Sequence, residues 1–260
     1  VDSFVFQYQT FYGNVGVNTS MPIVDVPDGQ ATVPIGVNPG CNDFRSNTGS
    51  ALPIPSDAYR YLTGSTDNPL ILFQPSTLTE WELWQATYRN GSWSACWGGR
   101  ISDLAGSAGL FHEPYGMAAS GLSYLATMVT EADVASGAID HPLAVILPLC
   151  NPSLVAPATR TDCNGRKGEP SEGTRFRLPS DLAMPAGLTP FAQMVFRTLQ
   201  DYGAYVVDHA GAVMISAESP ADWSLSGHTG PNPMVTSWAG HPEYTVLNGI
   251  PWSQMQVVAP

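Results

Sequence analysis

The segment TPFAQMVFRTLQDYGAYVVDHAGAVMISA, residues 189–217, carries the clearest local signals in the chain. Pro190 suits the first helical position with Thr189 as N-cap, and Phe191, Met194, Val195 and Leu199 recur at helical spacing. Gly203 stands where a left-handed glycine ends a helix. Strand-forming residues then fill 205–208, a short turn follows through His209-Ala210-Gly211, and 213–217 reads as a second strand. This predicts a helix over 190–202 running into a β-hairpin. Alternation places Tyr205 and Val207 on one strand face, Val206 and Asp208 on the other.

Outward from this segment, strands dominate. The apolar run at 141–149 reads as a central strand buried on both faces. Residues 70–74 and 81–88 read as strands joined through Pro75-Ser76-Thr77, and Asn90-Gly91 as a turn leading to a strand over 93–97. Further strands are expected at 4–8, 31–35 and 174–178, with a long loop over 36–55. Thr130 with Asp133 at N3 predicts a short helix that stops at Gly137. With 25 glycines and 23 prolines spread along 260 residues and no βαβ alternation, the expected fold class is mainly β. It is a β-sandwich or jelly-roll with small helical insertions, forming one domain over residues 1–260.

The net charge of −12, with nine arginines and Lys167 as the cations, argues against a nucleic-acid partner, because phosphate binding needs a basic face. No apolar run approaches the ~20 residues that span a membrane. The four cysteines contain no C-x-x-C pair, so the even count suggests two disulfides. Cys150–Cys163 would close a short loop worth roughly 3 kcal/mol on the chain-entropy model, and Cys41–Cys96 would tie the N-terminal region to the Trp-rich middle. A start at Val1 reads as a processed N-terminus. Secretion to the extracellular space is the expected localisation.

The stretch over 83–218 resembles a widespread family of secreted, largely uncharacterised bacterial proteins. The matching features are Trp81-Glu82-Leu83-Trp84, Ala118-Ala119-Ser120-Gly121-Leu122 and Ile139-Asp140-His141-Pro142-Leu143-Ala144. Arg175-Phe176-Arg177-Leu178 and the stretch from Tyr202 to Asp208 complete them. The resemblance implies one secreted domain in a cell-surface or glycan context and supplies no catalytic residue.

The residues that carry chemistry are expected on the strand 80–88. Alternation projects Glu80, Glu82, Trp84, Ala86 and Tyr88 to one side, with carboxylates at i and i+2 roughly 7 Å apart. Carboxyl pairs beside aromatic platforms are what glycoside hydrolysis needs. Asp103 could supply a partner carboxylate across the groove or simply cap a turn. His141, at the mouth of the central strand, reads as a general base or as a histidine satisfied by backbone. His112-Glu113 and Tyr115 form a second polar cluster. Arg175 and Arg177 share a strand face suited to a carboxylate or sulfate.

The reading that follows is a secreted carbohydrate-active protein. A glycoside hydrolase would use Glu82 with Asp103 or Glu80. A polysaccharide lyase using His141, Tyr115 and Arg177 is the enzymatic rival. The non-catalytic alternatives are a lectin-like domain stacking sugars on Trp84, Tyr88, Trp93 and Trp97, or a structural surface domain. The expected partner is an extracellular polysaccharide. No cofactor or metal is expected, since no histidine pair has ligand spacing.

Overall fold

The computed structural model describes residues 14–165 and 168–258; the strand expected over 4–8, and Lys167, lie outside them. Among the described residues the architecture is mainly β, arranged as three sheets. The first has the order β1 (Gly16–Met21), β13 (Met214–Glu218), β10 (Leu143–Leu147), β12 (Ala204–His209), β11 (Arg175–Arg177) and β14 (Gln256–Val258). The second runs β2 (Ile23–Asp25), β5 (Leu70–Gln74), β6 (Thr79–Trp84), β9 (Trp97–Ile101). The third runs β4 (Ala51–Leu52), β3 (Val33–Val37), β8 (Ser92–Ala95), β7 (Thr87–Arg89). Each contains one parallel pair or more: β1 with β13 and β10 with β12, β2 with β5, and β3 with β8. Up-and-down or Greek-key jelly-rolls are antiparallel, so the β-rich class stands while the pairing is mixed.

Among the described residues five α-helices accompany the strands: α1 (Arg45–Thr48), α2 (Glu131–Ser136), α3 (Pro190–Asp201), α4 (Asp222–Leu225) and α5 (Pro233–Ser237). Local rules located α2 and α3 well. Thr130 and Asp133 form a reciprocal capping box, and Gly137 ends α2 in the left-handed region. The Thr189 hydroxyl accepts the Ala192 N–H at 3.1 Å. Gly203, at φ +74°, lies so close to β11 that a Cβ there would meet the Phe176 carbonyl oxygen at 2.3 Å. Glycine is required at this position for both reasons.

The hairpin expected after α3 does not form. β12 and β13 run in opposite directions, but β10 lies between them, parallel to β12 and antiparallel to β13. All five residues of β10 are buried, and a strand apolar on both faces belongs at the centre of a sheet. The connection from β10 to β12 passes through α3, so a parallel crossover exists where alternating elements were not expected. Similarly, the strand expected over 81–88 breaks at Gln85, which sits at φ +52°. β6 stays in the second sheet and β7 joins the third. The strand expected over 93–97 also divides, into β8 and β9.

Three apolar clusters lie in series through the molecule. One face of the first sheet packs Leu143, Val145, Val206 and Ile215 against Phe191, Val195 and Leu199 of α3. Its other face sets Ala144, Ile146 and Val207 against Ile71 of β5 and Leu122, Tyr124 and Met128 of the covering segment. Leu70, Leu72, Trp81 and Leu83 join the second sheet to Ile35, Leu52 and Trp93 of the third. Disulfides Cys41–Cys96 and Cys150–Cys163 are both formed. Disulfides fit an oxidising compartment, and among the described residues no helix is long and apolar enough to cross a membrane.

Candidate functional site

A cavity of about 700 Å³ opens between the first and second sheets, in the range of small-molecule sites. β1 supplies Asn18, Ser20 and Met21, the ends of β10 and β12 supply Ile146, Asp208 and His209, and Trp84 and Trp97 form a wall. Those two tryptophans are directly paired across β6 and β9. The Trp84 Nε1–H donates to Asp67 at 3.2 Å. The Nε1–H of Trp97 is buried without an acceptor in the protein.

Asp208 reaches the cavity through a backbone irregularity. The register between β10 and β12 shifts so that Val145 faces Val206 while Ile146 faces Asp208. Simple alternation would put Asp208 beside Val206, toward α3. The extra residue turns it to the face of Ile146, and bulges commonly re-aim a side chain in this way. The Tyr124 hydroxyl donates to Asp208 Oδ2 at 2.7 Å, and the His209 N–H donates to Oδ1 at 2.9 Å.

Asp162 and Glu172 join Asp208, the three carboxyl groups having oxygens within 4.8 Å of one another. Asp162 is exposed, whereas Glu172 is fully buried behind it, against the Cys150–Cys163 disulfide. Burial, and then the neighbouring Asp162, pushes the Glu172 carboxyl up to about 8. Neither of its oxygens receives a donor in hydrogen-bond geometry, although the Thr161 hydroxyl lies near enough to oppose the rise. A protonated Glu172 resolves this, because it can donate toward Asp162. Burial also raises Asp208, to about 6, opposed by its two donors and by Arg160.

Arg160 is the cation among these acids. Its terminal nitrogen donates to the carbonyl oxygens of Gly116 at 2.6 Å and Ala118 at 2.5 Å, so it also fastens the segment that closes the site. The three carboxylates could hold a hard divalent cation. Cys150 and Cys163, though close to Glu172, have their sulfurs committed to the disulfide.

Glu80 and Glu82 are elsewhere. Both are fully buried on β6, on the face opposed to Trp81 and Leu83, beneath the segment 117–126. Glu82 accepts the N–H of Met117 at 2.9 Å and of Tyr124 at 2.6 Å; Glu80 accepts the Ser123 hydroxyl at 2.9 Å. Gly99, paired with Glu82 across the strands, lets this covering pass, since a Cβ there would meet Gly116 N at 2.5 Å. Burial raises Glu82 to about 7, against its backbone donors. Burial and the neighbouring Glu82 raise Glu80 well above the usual carboxylate range. The expected groove along this strand is therefore a closed interior. Glu82 still bears on the cavity, because the residue whose amide it holds, Tyr124, is the one that holds Asp208.

The other expected residues are dispersed. Asp103 caps a turn, accepting the Gly106 N–H. His141 binds Asp133 Oδ2 at 3.2 Å and the Pro142 carbonyl at 3.0 Å, at the start of β10 and away from the cavity. Burial opposes its charge, but those partners win and raise its affinity for the proton. Arg175 donates to the Tyr202 carbonyl at 2.9 Å and lies over the Tyr205 ring, and Arg177 reaches the Leu178 carbonyl. Tyr88, in the third sheet, stacks on Tyr59 and meets Trp93 at a tilt. Tyr115 stacks on Trp97 at 5.6 Å, behind the cavity wall, with His112 against its other side. Of the expected aromatic platforms, Trp84 and Trp97 line the cavity.

Arg160, Asp162, Glu172, Asp208 and Tyr124 were not singled out by the sequence reading. The available signals were a charge after Val206-Val207 in a core strand, and a charged pair beside a cysteine. No protein-family model matches the chain, and no similar curated protein or solved structure was found. No match supports the resemblance expected from the sequence, and no function comes from it.

Proposed function

We propose that the protein is a secreted carbohydrate-active enzyme, a glycoside hydrolase that works on an extracellular polysaccharide in this cavity. The observation that carries the reading is that Asp162 and Asp208, with Glu172 buried behind them, line a cavity that Trp84 and Trp97 also line. Indole faces suit pyranose rings, and paired carboxyl groups are the equipment of glycosidic cleavage. The β-sandwich expectation enters here only as the kind of β-rich scaffold on which such clefts occur.

Asp208, fixed by Tyr124 and the His209 amide, is the nucleophile. Asp162, at the exposed lip, passes the proton it shares with Glu172 to the leaving glycosidic oxygen as the C1–O bond breaks and Asp208 bonds to C1. Asp162 then takes a proton from water as that water's oxygen attacks C1 and frees Asp208. Glu172, behind Asp162, is the store of that proton, so the pair is inactive once it has lost it. Carboxyl oxygens within 4.8 Å suit retention, since inversion needs groups roughly 6.5–9.5 Å apart to admit water. The lyase alternative loses its site, because His141, Tyr115 and Arg177 do not converge.

The test is reducing-end release on a panel of neutral and uronate polysaccharides, with products followed by proton NMR. The expected result is cleavage with retained anomeric configuration and no ultraviolet-absorbing unsaturated sugar. The expected pH profile is a bell with limbs near 6, where Asp208 ionises, and near 8, where Glu172 loses its proton. Inverted products would refute the role of Asp208. Binding without cleavage would favour the lectin-like alternative.

A further inference from the structure

We propose that Glu131, Glu218 and Asp222 form a proton-operated latch on the β1 wall of the cavity, closed when they are protonated and released when they ionise. This goes beyond hydrolysis and holds whatever the cavity binds.

The three groups join five elements. Glu218 ends β13, and its Oε2 accepts the N–H of Glu131, the first residue of α2, at 2.8 Å. Asp222 begins α4 and accepts the Ile23 N–H of β2 at 2.7 Å. Asn232, the N-cap of α5, donates to Glu131 Oε1 and to the Pro220 carbonyl. The same corner holds β1: Met21 pairs with Glu218, and the Ser219 N–H donates to the Met21 carbonyl at 3.0 Å. Asn18, Ser20 and Met21, immediately before this corner, line the cavity.

Glu131, Glu218 and Asp222 are all buried, and Asp222 Oδ1 has no partner. None of the ion pairs among the described residues includes them. The titratable groups facing them are Asp25 of β2, Asp133 of α2 (itself bound to His141), Tyr61, which bonds to Ser226, and His228 near Asp25. The carboxylates that lie close enough together to share one ion among the described residues do not include this set. Protons are therefore what relieves it.

Burial comes first in raising all three, Glu131 to about 7 and Glu218 and Asp222 to about 8. Backbone N–H donors oppose the rise at Glu218 and Asp222, and Asn232 opposes it at Glu131. Folded values above the ordinary carboxylate range mean that the stabilisation is complete below about 4.5. It is lost as pH rises through about 7–8. Ionised, the three repel one another beside Asp25 and Asp133, and the β1–β2 corner is what they hold.

Hydrogen–deuterium exchange, corrected for intrinsic rates, tests this without any glycan. Between pH 5.5 and 9, protection of amides at 17–23 should fall at least tenfold, while α3 keeps its protection. Asp222→Asn and Glu218→Gln should each preserve protection at pH 9, and Glu131→Gln serves if either fails to fold. Equal protection of 17–23 at both pH values would overturn the latch. So would an equal fall in the neutral variants, or a parallel loss in α3.

Discussion

Glu82 and the Asp162–Glu172–Asp208 set differ in how their charge is answered; Glu80, whose Oε1 also lacks a partner, does not line the cavity. Glu82 receives two backbone N–H donors and lies sealed beneath the segment they belong to. Asp208 receives donors too, but its neighbours are an exposed carboxyl on one side and an unsatisfied buried one on the other. A buried acid whose hydrogen bonds are spent on the chain organises structure. An acid set left with unanswered capacity beside a cavity is free to act on a ligand.

The largest effect that sharpens this contrast is on stability. Glu82→Ala removes the acceptor of the buried Tyr124 N–H and the part-buried Met117 N–H, worth about 1–3 kcal/mol and somewhat less, so the loss should be about 2–4 kcal/mol. Urea unfolding would measure it, and a change under 1 kcal/mol would break the distinction. Glu172→Gln should have a smaller effect whose sign depends on pH. The raised folded value means that the wild type loses stability as pH climbs toward 8. The variant should match wild type at pH 5 and show the higher thermal midpoint at pH 8.5. Asp162→Asn, at an exposed position, should change stability by no more than about 0.5 kcal/mol.

The sequence made legible whatever depends on neighbours in the chain. The caps at Thr130 and Thr189, the stop at Gly203, the buried run of β10 and both disulfides follow from local chemistry and spacing. Strand order did not, because the insertion of β10 between β12 and β13 depends on pairing between segments about 60–70 residues apart, which no local signal specifies. Alternation also failed in two places for one reason. The left-handed Gln85 divides the acidic-aromatic strand, and the bulge in β12 turns Asp208 around. Neither residue is a glycine or proline, so neither break announces itself. The candidate site draws acids from 162, 172 and 208, with no periodicity to connect them. Trp84 and Trp97 were found because aromatic exposure on a strand can be read locally.

The most direct measurement compares Asp208→Asn with Glu82→Gln on one cleaved polysaccharide, with turnover normalised to the folded fraction from circular dichroism. Asp208→Asn should lose at least about 100-fold in turnover per folded molecule, with a stability loss of about 1–3 kcal/mol from the one donor left unmatched. Glu82→Gln, which acts on the cavity only through Tyr124, should stay within about tenfold of wild type once normalised. The opposite order, with Asp208→Asn active and folded Glu82→Gln inert, would contradict the account and return the chemistry to β6.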